Sequence, residues 1–114
     1  MGTSQSRGAL LMWVFLPDGF VSIVAHRHES ENVMVRARNA QHLQNLFPGC
    51  KVIELDEADY RYRTVLPRND VDAMLSKHID SMGYDNFKSS IDEYEYHMAC
   101  NRVWQVMYSY GHDR

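Results

Sequence analysis

Apolar residues along the chain change their spacing from strand-like to helix-like twice. Leu11 to Leu16 and Phe20 to Ala25 are short, nearly continuous apolar runs joined at Pro17-Asp18-Gly19. Proline presets a turn and glycine tolerates positive φ there, so the pair predicts a β-hairpin. The first run is apolar on both faces, which places it in the middle of a sheet, or with one face under the C-terminal helices. His26 to Asn32 is polar and reads as a loop. Val33 to Arg38 then alternates at the period of a half-exposed strand.

Asn39 suits a helix N-cap. Ala40, Leu43, Leu46 and Phe47 follow at helical spacing, and Pro48-Gly49 ends that helix. Lys51 to Leu55 and Tyr60 to Leu66 read as a fourth and a fifth strand around the acidic turn Asp56-Glu57-Ala58-Asp59. Pro67 stops the fifth. Asn69, with Asp72 three residues on, marks the start of a second helix. Its stripe is Val71, Met74, Leu75, Ile79 and Met82, closed by Gly83. Tyr84, Phe87 and Ile91 predict a short turn capped by Asp85. Glu93 to Tyr110 reads as a long final helix that buries Tyr96, Ala99, Cys100, Val103 and Met107 and ends at Gly111.

This order predicts an α+β fold, with an antiparallel sheet of about five strands, two to four helices and a long C-terminal helix. Val33 through Met82 makes up most of a ferredoxin-like split βαβ unit, with the N-terminal hairpin supplying the remaining strands. Residues 1–8 are small and polar and read as a flexible tail, leaving residues 9–114 as a single domain. A chain of 114 residues and 13.3 kDa is long enough for one core.

Composition narrows the field. Hydrophobic content of 45% and charged content of 24% are those of a soluble globular protein. The longest apolar run, Ala9 to Leu16, falls far short of the ~20 residues a membrane helix needs. No cleavage site follows it, so the expected location is the cytoplasm. Cys50 and Cys100 form no C-x-x-C pair and read as free thiols, without a redox or zinc motif.

The anion-binding candidates are Arg36, Arg38, Arg61 and Arg63, two on each alternating strand. Matched faces in one sheet would make them a positive patch on a chain of formal net charge -3. Guanidinium forks bind phosphate or carboxylate in two-pronged fashion and stay charged. The competing reading is a solvated face neutralised by Glu54, Asp56, Glu57 or Asp59. Tyr60 and Tyr62 alternate with the arginines, so they are expected on the opposite face, where they cannot stack on a ligand the arginines hold. An acidic chain suits local phosphate recognition better than tracking along a duplex.

Other clusters carry less. His26, His28, Glu29 and Glu31 lie in a loop with too few ligands for structural zinc. Asp56 with Asp59, and Asp70 with Asp72, resemble turn and helix-start residues more than a magnesium site. Ser22, Ser76, Ser81 and both cysteines lack a partner at recognisable spacing. In Tyr84-Asp85-Asn86-Phe87-Lys88 the aromatics are read as pinning a helix junction, with Lys88 facing water. Tyr94, Trp104 and Tyr108, left over on the last helix, form a candidate patch for a protein partner or a homodimer.

The chain resembles a group of small bacterial and phage-borne hypothetical proteins. The resemblance rests on Trp13-Val14-Phe15 with Asp18-Gly19-Phe20 and Ser22, Val33 to Arg38, Asp59-Tyr60 with Tyr62-Arg63, Tyr84 to Lys88, and Val103-Trp104 with Met107-Tyr108. It implies an intact compact domain and brings no activity or cofactor with it. The sequence therefore points to a non-enzymatic module that binds phosphate of a nucleic acid or nucleotide. The first alternative is a protein-binding accessory or inhibitor, of the phage anti-defence kind, acting through the aromatic helix and an acidic surface. The second is a metal-dependent nuclease or other phosphoryl-transfer enzyme, with Asp56 and Asp59 as the candidate pair.

Overall fold

The hairpin signal at Pro17-Asp18 is realised as β1 (Met12–Leu16) and β2 (Gly19–Ala25), paired antiparallel with Leu16 opposite Gly19. The computed structural model describes residues 11–112, so the expected tail at residues 1–8 lies outside the described residues. A third strand, β3 (Asn32–Ala37), extends the meander. Helix α1 (Ala40–Leu46) follows, with Asn39 accepting from the Gln41 N–H as its N-cap. Two strands, β4 (Ile53–Glu54) and β5 (Tyr62–Pro67), precede α2 (Arg68–Asp80). A 3-10 turn (Lys88–Ser90) and the long α3 (Tyr94–His112) complete the chain.

The five strands form one antiparallel sheet in the order β1-β2-β3-β5-β4. Both β3 and β4 run antiparallel to β5, which lies between them, so they are parallel to each other and joined through α1. This is the split βαβ unit expected from the element order, with the hairpin added on the β3 side.

The sheet is covered on both faces. Leu16, Val21, Ile23, Val33, Val35 and Ala37 point to one side and pack under Leu43, Leu46 and Phe47 of α1 and its cap, and Val71 and Met74 of α2. On the other side Phe15 and Phe20 pack against Ile91, Tyr96 and Cys100. That explains why β1 is apolar on both faces, but its position differs from the central one expected: it is an edge strand. Its second half, Val14 to Leu16, is covered from both sides, whereas Met12 and Trp13 stay open at the edge.

Local chemistry also departs from expectation in places. Gly19 has no positive φ; among the described residues only Gly49 does, at 83°. Gly19 is instead required by close approach, because a Cβ there would lie 2.6 Å from His42 Cβ. Helix α2 starts at Arg68 with Pro67 in the cap position, not with an Asn69 cap. Arg68 is anchored from outside the helix, its N–H donating to Glu31 O and its Nε to Ser30 O. The expected strand from Lys51 shrinks to two residues. At the 3-10 turn the acceptor is Asn86 Oδ1, toward the Ser89 N–H, in place of the expected Asp85 cap.

Helix α3 begins where Glu93 accepts from the N–H groups of Glu95 and Tyr96. Of its expected buried face only Tyr96 and Cys100 are buried, while Val103 is 40% and Met107 57% exposed. The apolar seam keeps its 4-3-4 spacing, but the body of the protein ends beneath it.

Candidate functional site

Residues Trp13, Ser22, Arg36 and Arg63 are register partners across β1, β2, β3 and β5 and form one row on the α3 side of the sheet. Directly opposed residues of an antiparallel pair have Cα atoms ~4.5–5.5 Å apart, so Arg36 and Arg63 are immediate neighbours. Arg36 Nη2 donates to the buried Ser22 Oγ at 2.8 Å. Arg63 Nη2 donates to the Tyr60 carbonyl at 2.9 Å, and its Nη1 meets Met34 Sδ at 3.5 Å. Among the described residues neither guanidinium has a carboxylate partner, and the Nε of each is buried without an acceptor. Two directly opposed arginines without a carboxylate, each leaving a buried N–H unsatisfied at a cost of ~1–3 kcal/mol, are not explained by packing alone.

The other two arginines are engaged elsewhere. Arg38 pairs with Asp59 at 2.9 Å. Arg61 pairs with Glu54 at 3.0 Å and Asp56 at 3.2 Å. Both lie just outside the strands, Arg38 after β3 and Arg61 before β5, where strict alternation no longer fixes their direction. The four-arginine patch is thus a neutralised pair and a charged pair.

Tyr60 corrects the expectation that both tyrosines lie away from the arginines. Tyr62, inside β5, packs on the α1 side. Tyr60 precedes the strand and is buried on the arginine side, with the Arg36 and Arg38 guanidinium carbons 4.5 Å and 4.4 Å from its ring centroid. Beside this stack a cleft of about 440 Å³ opens between the sheet and α3. Trp13, Phe15, Phe20 and Tyr60 form its aromatic wall, with Tyr96 and Cys100 opposite and Arg38, Glu93 and Glu95 among its charged lining.

Sequence reasoning overlooked the cleft's second wall. The His42 Nδ1 accepts the Phe20 N–H at 3.1 Å, and its ring lies 4.7 Å from that of Tyr96. The Tyr96 hydroxyl donates to Leu16 O at 2.8 Å. Burial pushes the Tyr96 phenol and the Cys100 thiol up. Burial holds His42 below its ordinary 6.5, against an opposing pull from the Glu93 carboxylate. The unfolded chain therefore takes up a proton first, and His42 contributes stability that is present above pH 6.5 and lost as pH falls below it. Asparagine offers an oxygen near the Nδ1 position, so His42→Asn is expected to flatten this acid slope. Urea unfolding at about pH 5.5 and about pH 7.5 measures it. An unchanged slope would show that His42 is not buried in its neutral form.

The helix patch is divided. Trp104 and Tyr108 stack at 5.3 Å, and Lys88 lies over Trp104 at 3.9 Å instead of facing only water. Tyr94 stands ten residues earlier, roughly 15 Å along the axis, and is 72% exposed. His26 Nδ1 accepts the N–H groups of His28 and Glu29, so the ring caps its own loop. Asp56 and Asp59 are held by Arg61 and Arg38. Among the described residues no three metal-ligating side chains converge, and no helix is long and apolar enough to cross a membrane. Comparison with family models, curated proteins and solved structures gives no match.

Proposed function

We propose that this protein is a binding module for a phosphate-bearing ligand of the nucleotide class. In this reading Arg36 and Arg63 take the phosphate, and the aromatic cleft beside Tyr60 takes the planar base. The observation that carries it is the pair of arginines directly opposed on β3 and β5, neither of which has a carboxylate partner among the described residues. A phosphate supplies the countercharge that both guanidiniums lack. The flanking rings offer stacking faces that accept any base, each stack typically contributing ~1–3 kcal/mol.

Calorimetric titration with the four nucleoside monophosphates, inorganic phosphate, the parent nucleosides and a short single-stranded oligonucleotide tests this. Monophosphates are expected to bind more tightly than phosphate or nucleoside alone. The double variant Arg36→Gln with Arg63→Gln is expected to weaken binding about tenfold or more, ~1.4 kcal/mol per decade. Because the variant also gives up the Ser22 and Tyr60 hydrogen bonds and the Arg36–Tyr60 contact, binding is compared at a temperature where circular dichroism shows both proteins folded. Absence of any phosphate-dependent heat in wild type, or equal binding by the double variant, rules the reading out.

A further inference from the structure

The aromatic cleft carries hydrogen-bonding groups along one side, on α1 and at the start of α3. The Phe20 N–H donates to His42 Nδ1, so the neutral ring holds its proton on Nε2. That nitrogen has no partner among the described residues and is not enclosed, which leaves an N–H donor at the cleft wall. Glu93 is fixed by its own helix start, with Oε2 accepting from the Glu95 N–H at 3.0 Å and Oε1 from the Tyr96 N–H at 2.9 Å. A carboxylate has about four acceptor sites, so Glu93 keeps about two more. It is also close enough to His42 for its charge to act on the ring. The Glu95 carboxylate lines the same cleft and has no partner among the described residues. Arg38, the cation of the lining, is already paired with Asp59 at 2.9 Å.

From α1 to α3 these groups are one donor followed by two acceptors. Bases that stack on aromatic side chains are read through hydrogen bonds on their Watson–Crick edges. Guanine presents a carbonyl oxygen, then N1–H, then an amino group, which is one acceptor followed by two donors. The match is complete. Adenine offers a single donor beside a bare ring nitrogen, and cytosine a single donor beside two acceptors. Uracil sets a second carbonyl where the protein sets a carboxylate. Charge orders the ligand as well: the two glutamates repel phosphate from the α3 end, and the Arg36 and Arg63 pair on β3 and β5 attracts it. The base therefore lies toward α3.

Resting on the nucleotide reading above, we propose that the base is guanine, with His42 Nε2–H donating to its O6, Glu93 accepting from N1–H and Glu95 accepting from the 2-amino group. Hydrogen bonds to an ionised acceptor are roughly twice as strong as neutral ones, and a base lacking those donors turns lone pairs toward the carboxylates instead. A cleft of about 440 Å³ has room for a base, lying within the roughly 300–1,000 Å³ of small-ligand pockets.

Calorimetry on the full chain compares the monophosphates of guanosine, inosine, adenosine, cytidine and uridine. Guanosine monophosphate is expected to bind about tenfold or more tightly than the adenosine, cytidine and uridine forms. Inosine monophosphate keeps O6 and N1–H but lacks the amino group, and should fall between. Glu95→Ala changes an exposed side chain, so the variant should keep wild-type helix content by circular dichroism. It should bring guanosine monophosphate down to the affinity of the inosine form and leave the inosine form within about twofold of wild type. Equal binding of the guanosine and adenosine forms overturns the guanine assignment and leaves the phosphate reading standing. Absence of heat with every monophosphate overturns the phosphate reading itself. A loss in Glu95→Ala that is the same for the guanosine and inosine forms also overturns the assignment. So does tighter binding of tetramethylammonium than of guanosine monophosphate, which would make the cleft a cage for cations. Where guanine is preferred, the tighter of guanosine monophosphate and a short single strand carrying one guanine gives its source.

Discussion

Tyr60→Ala is expected to destabilise the fold by about 3–5 kcal/mol, the range for truncating a buried aromatic ring to alanine. The ring is only 5% exposed, and it is the surface on which the guanidiniums of Arg36 and Arg38 lie. Removing it opens a void beside Phe20 and leaves two cations over the gap, each forfeiting a cation–π contact of ~0.5–2 kcal/mol within that total. Tyr60→Phe keeps the ring and should stay within about 1 kcal/mol of wild type. Urea midpoints at unchanged slope separate the two variants. If alanine and phenylalanine behave alike, the ring does not support the arginine row. If the cleft takes a nucleotide base as proposed, that binding should fall with Tyr60→Ala even at temperatures where the variant is fully folded, because the ring also walls the cleft.

The second large effect is expected from a single methyl group. Gly19→Ala places a Cβ 2.6 Å from His42 Cβ, 2.7 Å from Cγ and 3.0 Å from Cα, so α1 itself must move. Overpacking of this kind typically costs ~1–3 kcal/mol. The turn is also tied to α1 by the Phe20 N–H on His42 and by Asn45 Nδ2 donating to the Asp18 carbonyl. A displaced helix lengthens both bonds and shifts Asn39 and His42 at the cleft wall. The expected result is a lower urea midpoint together with loss of the His42-dependent acid slope. Wild-type stability in Gly19→Ala would mean that α1 does not sit this close to the hairpin. Both variants thus report on the same region from opposite sides, Tyr60 from the site face and Gly19 from the core face.

Much of this architecture was legible in the sequence because period and punctuation agree. The hairpin, the Asn39 cap, the alternation of β3 and the α+β order all follow from local patterns. The position of β1 was not legible, since apolar character on both faces reports burial and not rank within the sheet. The extent of α3 burial was hidden for a related reason. Its seam repeats regularly through Met107, and a regular seam is the same whether the covering surface is the protein's own or another's. Alternation put Arg36 and Arg63 each on one face of its strand, but their pairing depended on a β3–β5 adjacency that local pattern does not show, and Arg38 and Arg61 fell one residue beyond the ordered ladder and found nearby carboxylates. His42 gave no signal at all, because its role depends on a backbone N–H twenty-two residues away.

The sheet divides its labour between its two sides. The larger apolar cluster, with Val21, Val35 and Leu43 fully enclosed, lies wholly beneath α1 and α2, while the Trp13-Ser22-Arg36-Arg63 row stands on the reverse. Substitutions along that row leave the larger cluster untouched, so the side chains of this face are free to vary without rebuilding the scaffold beneath them.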